Sequence, residues 1–220
     1  KNGVEKMKKI AVIGASGKVG TLVSQKAMAK GFEVTAYVRQ ASRLKTEVSK
    51  VVEKDLFDLQ LSDLEGFDAI VLAYRAPQGQ EKDYSKVAFH LTDLLAQSQT
   101  RLIVVGGAGS MYLDDERMTR LVDTLPKTLP YYPTVNQMAI ASLIFKNSAA
   151  NVTFFSPAEF FDPEGKETGN YTLTNDILGH NAAGESRISY ADYASALVAM
   201  IEEGRYQNEH IGIYENEKRS

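Results

Sequence analysis

A chain of 220 residues with 44% apolar and 24% charged residues has the composition of a folded protein with a full core, and the length of one α/β domain. A formal charge of −3 supplies no basic excess for nucleic acid or an anionic membrane, and the lack of cysteine excludes disulfides, thiolate nucleophiles and cysteine-held metals. His90, His180 and His210 lie too far apart in sequence to suggest a metal site, and no apolar run reaches the ~18–20 residues of a membrane span.

The amino end, Lys1 to Lys9, is charged, and the apolar stretch Ile10–Ile13 is too short for a signal-peptide core. The expectation is a cytoplasmic protein whose natural start is Met7, with Lys1–Lys6 upstream of it. Lys9–Ile13 reads as a buried strand that ends at Gly14. Val19, Leu22, Val23 and Ala27 have the spacing of one helix face over Lys18–Lys30, and Gly31 stops that helix. Phe32–Val38 is a second strand, Ser42–Ser49 a short helix or turn, and Lys50–Glu53 a third strand. Ala69–Ala73, a helix over Tyr84–Gln97 and the strand Arg101–Val105 follow. Beyond Gly109 the pattern loosens, with Pro126, Pro130 and Pro133 preceding a helix over Thr134–Lys146. Val152–Ser156 is a sixth strand. Pro157–Gly184 is irregular, with a hairpin expected around Tyr171–Leu173. Asp192–Glu202 is a helix capped by Ser189 or Asp192, and His210–Tyr214 is the last strand.

Strands buried on both faces and alternating with helices predict a doubly wound, mainly parallel sheet in a three-layer α/β/α arrangement. With no repeat or linker, residues 1–220 are expected to form one domain, with substrate-side elements from about 110–135 and 157–187.

The strongest chemical signal is Gly14-Ala15-Ser16-Gly17-Lys18-Val19-Gly20, placed between a strand and a helix. Glycines there permit a tight turn, close approach of backbone to a pyrophosphate, and close helix–strand packing. The unpaired N–H groups of the helix start then favour phosphate, so a Rossmann-type dinucleotide site is expected around Gly14, Ser16, Gly17, Lys18 and Val19. A triphosphate-binding P-loop is excluded by the glycine spacing and by Val19 where Ser or Thr is required.

The end of the second strand bears on the dinucleotide. A carboxylate there would accept from a free ribose 2′-hydroxyl and repel a 2′-phosphate. The sequence instead places Arg39, then Arg43, which favours NADP(H) over NAD(H). Asp55 and Leu56 fall where they could bracket adenine, although Asp55 also suits a turn cap. Ala73, Tyr74 and Arg75 should pass the nicotinamide ribose, with Gly106 and Gly107 at the next strand end.

The segments Gly14–Gly20, Val38-Arg39, Asp55-Leu56, Val105–Gly109 and Ile188–Ala194 together resemble the atypical short-chain dehydrogenase/reductases. The resemblance is closest to the NAD(P)H-binding group that includes NADH-flavin reductases, biliverdin reductase B and the nitrogen-metabolite-repressor-like proteins. It covers nearly the whole chain. Typical members of the superfamily carry Tyr-x-x-x-Lys on the helix after the fifth strand, where lysine lowers the tyrosine pKa. This sequence departs from them: it has Tyr132 to Asn136 at that place, and its one Tyr-x-x-x-Lys, Tyr214 with Lys218, lies after the last strand.

Hydride transfer to a planar acceptor such as a flavin or quinone needs no such pair. An NAD(P)H-dependent reductase with a small-molecule acceptor is therefore expected. A non-catalytic NADP(H) sensor and an epimerase- or dehydratase-like enzyme are the alternatives that the resemblance implies. Ser110, Tyr112, Tyr132 and Asn136 are the candidate catalytic or substrate contacts. For Ser110 and Tyr112 the functional reading is substrate or carboxamide contact, and solvation in a loop is the other and stronger one. Phe154, Phe155, Phe160 and Phe161 could offer a face to a planar ring, with core packing as the other reading for Phe154 and Phe155.

Overall fold

The computed structural model describes residues 6–217, so the amino-terminal extension expected at Lys1–Lys6 falls outside it except for Lys6, and Lys218 falls outside it altogether. The elements in order are β1 (Lys9–Ile13), α1 (Lys18–Ala29), β2 (Glu33–Val38), β3 (Lys50–Glu53), α2 (Leu61–Leu64), β4 (Ala69–Leu72), α3 (Asp83–Leu95) and β5 (Arg101–Val105). Then come α4 (Leu121–Thr124), α5 (Tyr132–Lys146), β6 (Val152–Ser156), β7 (Phe160–Asp162), β8 (Tyr171–Thr174), β9 (Arg187–Ser189), α6 (Tyr190–Glu203) and β10 (His210–Glu215).

Eight strands form one sheet in the order β3-β2-β1-β4-β5-β6-β10-β8, and β7 pairs with β9 apart from it. Every pairing in the large sheet is parallel except β8 with β10. The chain builds β2 and β3 to one side of β1, then crosses to build β4, β5 and β6 on the other. The strand order therefore reverses between β1 and β4, and a crevice opens there at the carboxyl ends of the strands.

Both faces of the sheet are covered, which is why its central strands are apolar throughout rather than alternating. On one face Ile10, Val12, Val34, Ala36 and Val71 pack with Val23 and Ala27 of α1 and Leu197 and Ile201 of α6. On the other, Ala11, Ile13, Ile70 and Leu102 pack with Val87 and Leu91 of α3 and Phe145 of α5. The result is the expected three-layer α/β/α architecture.

Some boundaries differ from the sequence reading, each for a local reason. Helix α5 begins at Tyr132 rather than Thr134, because Pro133 sits in the first turn, where a missing N–H costs nothing. Helix α6 begins at Tyr190, and Ser189 is its cap: the Ser189 hydroxyl accepts from the Asp192 N–H at 3.0 Å. Ser42–Ser49 yields only a 3-10 turn at Ala41–Arg43. The segment Tyr171–Thr174 forms no local hairpin. It pairs antiparallel with β10, with Gly212 opposite Thr174, as the edge strand of the sheet.

Arg101, at the start of β5, is only 4% exposed, at the end of the sheet away from the crevice. Its guanidinium donates to the Thr153 hydroxyl at 3.1 Å, to the Met200 carbonyl at 3.1 Å and to the Arg205 carbonyl. It thus adds a donor to the Met200 carbonyl, which also accepts from the Arg205 N–H at 3.2 Å, and ties the chain just after α6 to β5 and β6. Burial pulls this arginine down to about 10, still charged at neutral pH. Arg101→Leu would remove three hydrogen bonds from a charged donor, a class worth about 1.5–3 kcal/mol each before the cost of burying the guanidinium is counted. The expected outcome is a drop of roughly 2–4 kcal/mol in unfolding free energy by urea titration, with cofactor affinity preserved in the folded fraction. A loss below ~0.5 kcal/mol would show that water replaces the guanidinium.

Candidate functional site

The crevice is organised by the turn between β1 and α1. Gly14 has φ +80, a left-handed conformation that favours glycine, and its N–H donates to the Tyr37 carbonyl at 3.2 Å. A Cβ on Gly14 would come within 2.6 Å of the Ala73 carbonyl oxygen, so glycine is required for the β1 turn to lie against the end of β4. Gly20 is required as well, because a Cβ there would overlap the Gly14 carbonyl. Gly17 is different. Its φ is ordinary, and a Cβ would meet nothing closer than the Gly14 carbonyl at 3.5 Å. The fold does not demand glycine at Gly17; a group lying across the turn would.

A groove of about 260 Å³ runs from this turn along the strand ends. Gly14, Ser16 and Gly17 line it, together with Arg39, Arg43, Asp55, Leu56, Ala73, Tyr74 and Arg75. The structure therefore brings ten of the expected cofactor residues together. Lys54 also lines the groove, which the sequence reading missed. Its ammonium pairs with Asp63 at 2.8 Å and holds that carboxyl below the usual range. Three cationic side chains, Arg39, Arg43 and Lys54, thus gather beyond the end of β2. The Asp55 carboxylate accepts from the Phe57 N–H at 2.9 Å, so it caps a turn as well as lining the groove. Tyr74 packs edge-on against Tyr84, with ring centroids 5.8 Å apart. Burial raises its phenol to about 12; Asp83, Tyr84 and Asp55 add to the shift and Arg39 opposes it.

Four expected cofactor residues do not line the groove. The Lys18 ammonium turns out to an exposed pair with Glu164 at 3.9 Å. Val19 packs against the core beneath α1. Gly106 accommodates the ring of Phe154, which a Cβ would overlap, and Gly107 faces Met138. The last two lie at the end of β5, two strands from Gly14.

An open cleft of about 840 Å³ adjoins the groove and shares Gln80 and Asp83 with it. Tyr132 and Asn136, at the start of α5, line this cleft with Pro133, Gln137, Lys82 and Lys86. Among the described residues no lysine hydrogen-bonds the Tyr132 phenol. The four phenylalanines form no common face for a planar ring. Phe154 and Phe155 are buried on opposite sides of β6, Phe161 packs on Tyr190 and Tyr193, and Phe160 is exposed beneath Arg187.

Ser110 and Tyr112 also lie elsewhere than expected. Tyr112 bridges Arg120 and Ile177 and lines neither groove nor cleft. Ser110 is 3% exposed, so it is no solvated loop residue. Its hydroxyl donates to the Gly107 carbonyl at 2.8 Å and lies 3.1 Å from the Ser156 hydroxyl. Ser156 in turn lies 2.8 Å from Nε2 of His210, which is 3.4 Å from Ser110. Burial pulls His210 down to about 4; nearby Lys146 and Arg120 lower it further and Asp176 opposes them. No sequence spacing announces this cluster, since its members come from three strand ends up to 100 residues apart.

The motif Ile188–Ala194 is explained by packing. Asp192 is fully buried, and its carboxylate accepts from the Thr168 and Gly169 N–H groups, both at 2.9 Å, and from the Thr168 hydroxyl at 2.6 Å. Tyr193 stacks on Phe155 with centroids 4.3 Å apart and donates to its carbonyl at 2.7 Å.

A parallel sheet whose order reverses beside a glycine turn, with a groove across that reversal, defines a dinucleotide-binding Rossmann domain. Comparison with known proteins makes this specific: the chain belongs to the NAD(P)H-binding family, whose pattern matches residues 14–204. It is 42% identical over 207 residues to the uncharacterized protein YwnB of Bacillus subtilis, covering 93% of this chain and 97% of that one. A Streptococcus pneumoniae structure named as a candidate NADH-flavin reductase superposes with a TM-score of 0.88 at 41% identity, covering 94% of this chain and 99% of the other. A candidate epimerase from Bacteroides thetaiotaomicron superposes with a TM-score of 0.84 at 32% identity, over 98% and 100% of the two chains.

Two predictions follow from this geometry. Gly17→Val should leave the circular dichroism spectrum unchanged while NADPH titration shows a loss of at least about tenfold in affinity, equivalent to ~1.4 kcal/mol. An unfolded variant would make Gly17 a purely structural glycine, and a folded variant with unchanged affinity would take Gly17 out of the cofactor site. The second concerns pH. An unfolded histidine titrates near 6.5 and His210 near 4, so the unfolded state takes up the proton first as pH falls. The contribution of neutral His210 is complete above about 6.5 and is lost progressively down to about 4. Urea midpoints across that window should fall more steeply for the wild type than for His210→Gln; parallel curves would show that His210 is not the source.

Proposed function

We propose that the protein is an NADP(H)-dependent reductase that passes a hydride directly to a planar acceptor such as a flavin or quinone. The carrying observation is the junction of the groove with the adjoining cleft at Gln80 and Asp83. A dinucleotide laid from Arg39 past Gly14 toward Gly107 would present its far end near an open space of ring size. The nicotinamide supplies a hydride when bound. The protein's part is to hold that ring and to admit an acceptor beside it.

The turn at Gly14–Gly17 would receive the pyrophosphate on backbone N–H groups and the positive end of α1. Arg39, Arg43 and Lys54 would meet a 2′-phosphate. Arg39 and Arg43 can offer fixed forks of donors, and Lys54 adds a point charge already steered by Asp63. Tyr132 and Asn136 would form a wall of the acceptor cleft. Asn136 cannot lower the Tyr132 pKa as a lysine would, and an acceptor that takes the hydride without prior protonation makes that activation unnecessary. The name of the Streptococcus pneumoniae relative supports the same class of acceptor.

The test is titration with both cofactors followed by turnover. NADPH should bind more tightly than NADH, and Arg39→Asp should weaken NADPH by about ten- to 100-fold more than NADH, since it exchanges a charged hydrogen bond for repulsion. Equal affinities, or tighter NADH, would reject the NADP(H) assignment. In steady-state oxidation of NADPH by flavin or quinone, Tyr132→Phe should retain most of the rate. A fall of about 10²- to 10⁴-fold with unchanged cofactor binding would make Tyr132 a general acid. Tight NADPH binding without turnover on any flavin, quinone or simple carbonyl would favour a sensor.

A further inference from the structure

The cluster of Ser110 beyond β5, Ser156 at the end of β6 and His210 at the start of β10 has a polarity that follows from where the Ser110 proton goes. Each hydroxyl has one proton to donate. The Gly107 carbonyl can only accept and at 2.8 Å is nearer to Ser110 than Ser156 is at 3.1 Å, so the Ser110 proton is directed to it. Ser156, 3.1 Å from Ser110, must then donate to the Ser110 oxygen. With both hydroxyl protons placed, the 2.8 Å contact between Ser156 and His210 requires Nε2 of His210 to carry a hydrogen and donate. The 3.4 Å approach of the same nitrogen to Ser110 fits a shared donor. With the opposite tautomer the bonds would run the other way, from Ser110 to Ser156 to Nε2 of His210, and the Gly107 carbonyl would lose its hydroxyl donor.

We infer that His210 and Ser156 are positioning residues for the nicotinamide end of the cofactor site, acting through Ser110 on the Gly107 peptide. The hydrogen bonds run one way, from His210 through Ser156 and Ser110 to the Gly107 carbonyl. That carbonyl begins the turn Ala108–Ser110 and stands next to Gly106, whose N–H is held by the Phe155 carbonyl at 2.8 Å. The Gly106-Gly107 peptide is thereby anchored on both sides. Its place at the carboxyl end of β5 sets it beside β4, which runs on into the groove residues Ala73 and Tyr74. Two glycines packed against Phe154 and Met138 have little side-chain bulk of their own to fix the turn. The inward-facing hydroxyls supply the rigidity.

The inference rests on the cofactor reading above, and its test separates the two. Long-range ¹H–¹⁵N spectra of the protein without cofactor report the His210 tautomer, and hydrogen on Nε2 is expected. Hydrogen on Nδ1 alone overturns the directed arrangement. The second arm compares Ser156→Ala, His210→Leu and His210→Gln, the last of which keeps an N–H donor at a similar reach. Each is titrated with NADPH and with adenosine 2′,5′-bisphosphate, which lacks the nicotinamide half. Ser156→Ala and His210→Leu should lose roughly tenfold in NADPH affinity with no change for the bisphosphate, and His210→Gln should recover most of the loss. Equal losses for both ligands, or none for either, overturn the inference. A wild type that binds no nicotinamide nucleotide overturns the cofactor reading itself, and with it any positioning role.

Discussion

The contact between Gly14 and the end of β4 is the constraint on which the rest of the site depends. The β1 turn must pass within a Cβ radius of the Ala73 carbonyl, and only a residue with positive φ and no side chain does so. That approach draws the start of α1 down over the sheet at the point where the strand order reverses. The groove, its glycine floor and its alignment with Ala73 and Tyr74 all follow from it. Gly20 completes the arrangement by letting α1 sit on the Gly14 carbonyl. Gly17 stands apart, free of packing demands.

Charge is distributed along this edge in a consistent sense. Arg39 and Arg43 follow β2, and Lys54 follows β3, the edge strand beside it. The carboxylates nearby are each engaged: Asp55 on the Phe57 N–H, Asp63 on Lys54, and Asp83 beside Lys86 at 3.5 Å. The groove thus presents cations whose acidic neighbours have other work. In contrast, buried polar groups at the two ends of α6 serve structure. Arg101 closes the end of α6, and Asp192 binds the Thr168–Gly169 backbone to the start of that helix. Buried polar groups of this kind are tolerated because each finds partners for its donors or acceptors.

The four candidate contacts singled out beyond β5 divide on the same principle. Tyr132 and Asn136 sit on the first turn of α5 and face the cleft. Ser110 is drawn inward because its hydroxyl has three partners there, and Tyr112 is carried off by its bridges to Arg120 and Ile177. A short distance in sequence from a strand end therefore says where the backbone starts but not which way the next side chains turn.

The sequence by itself determined the sheet-and-helix alternation, the glycine turn, the cationic residue after β2 and the absence of a Tyr/Lys pair. These are local signals: strand and helix periodicity, turn chemistry and residue identity at a known offset from a strand. The cap of α6, the pairing of β8 with β10 and the membership of Lys54 in the groove needed the tertiary structure, because each joins segments or compares alternatives that look alike in one dimension. The same holds most strongly for His210, Ser156 and Ser110. Their side chains meet only because β10, β6 and β5 lie side by side, with His210 in register with Phe154. The side-by-side placement of these strands, which no spacing along the chain encodes, turned three isolated residues into one hydrogen-bonded unit.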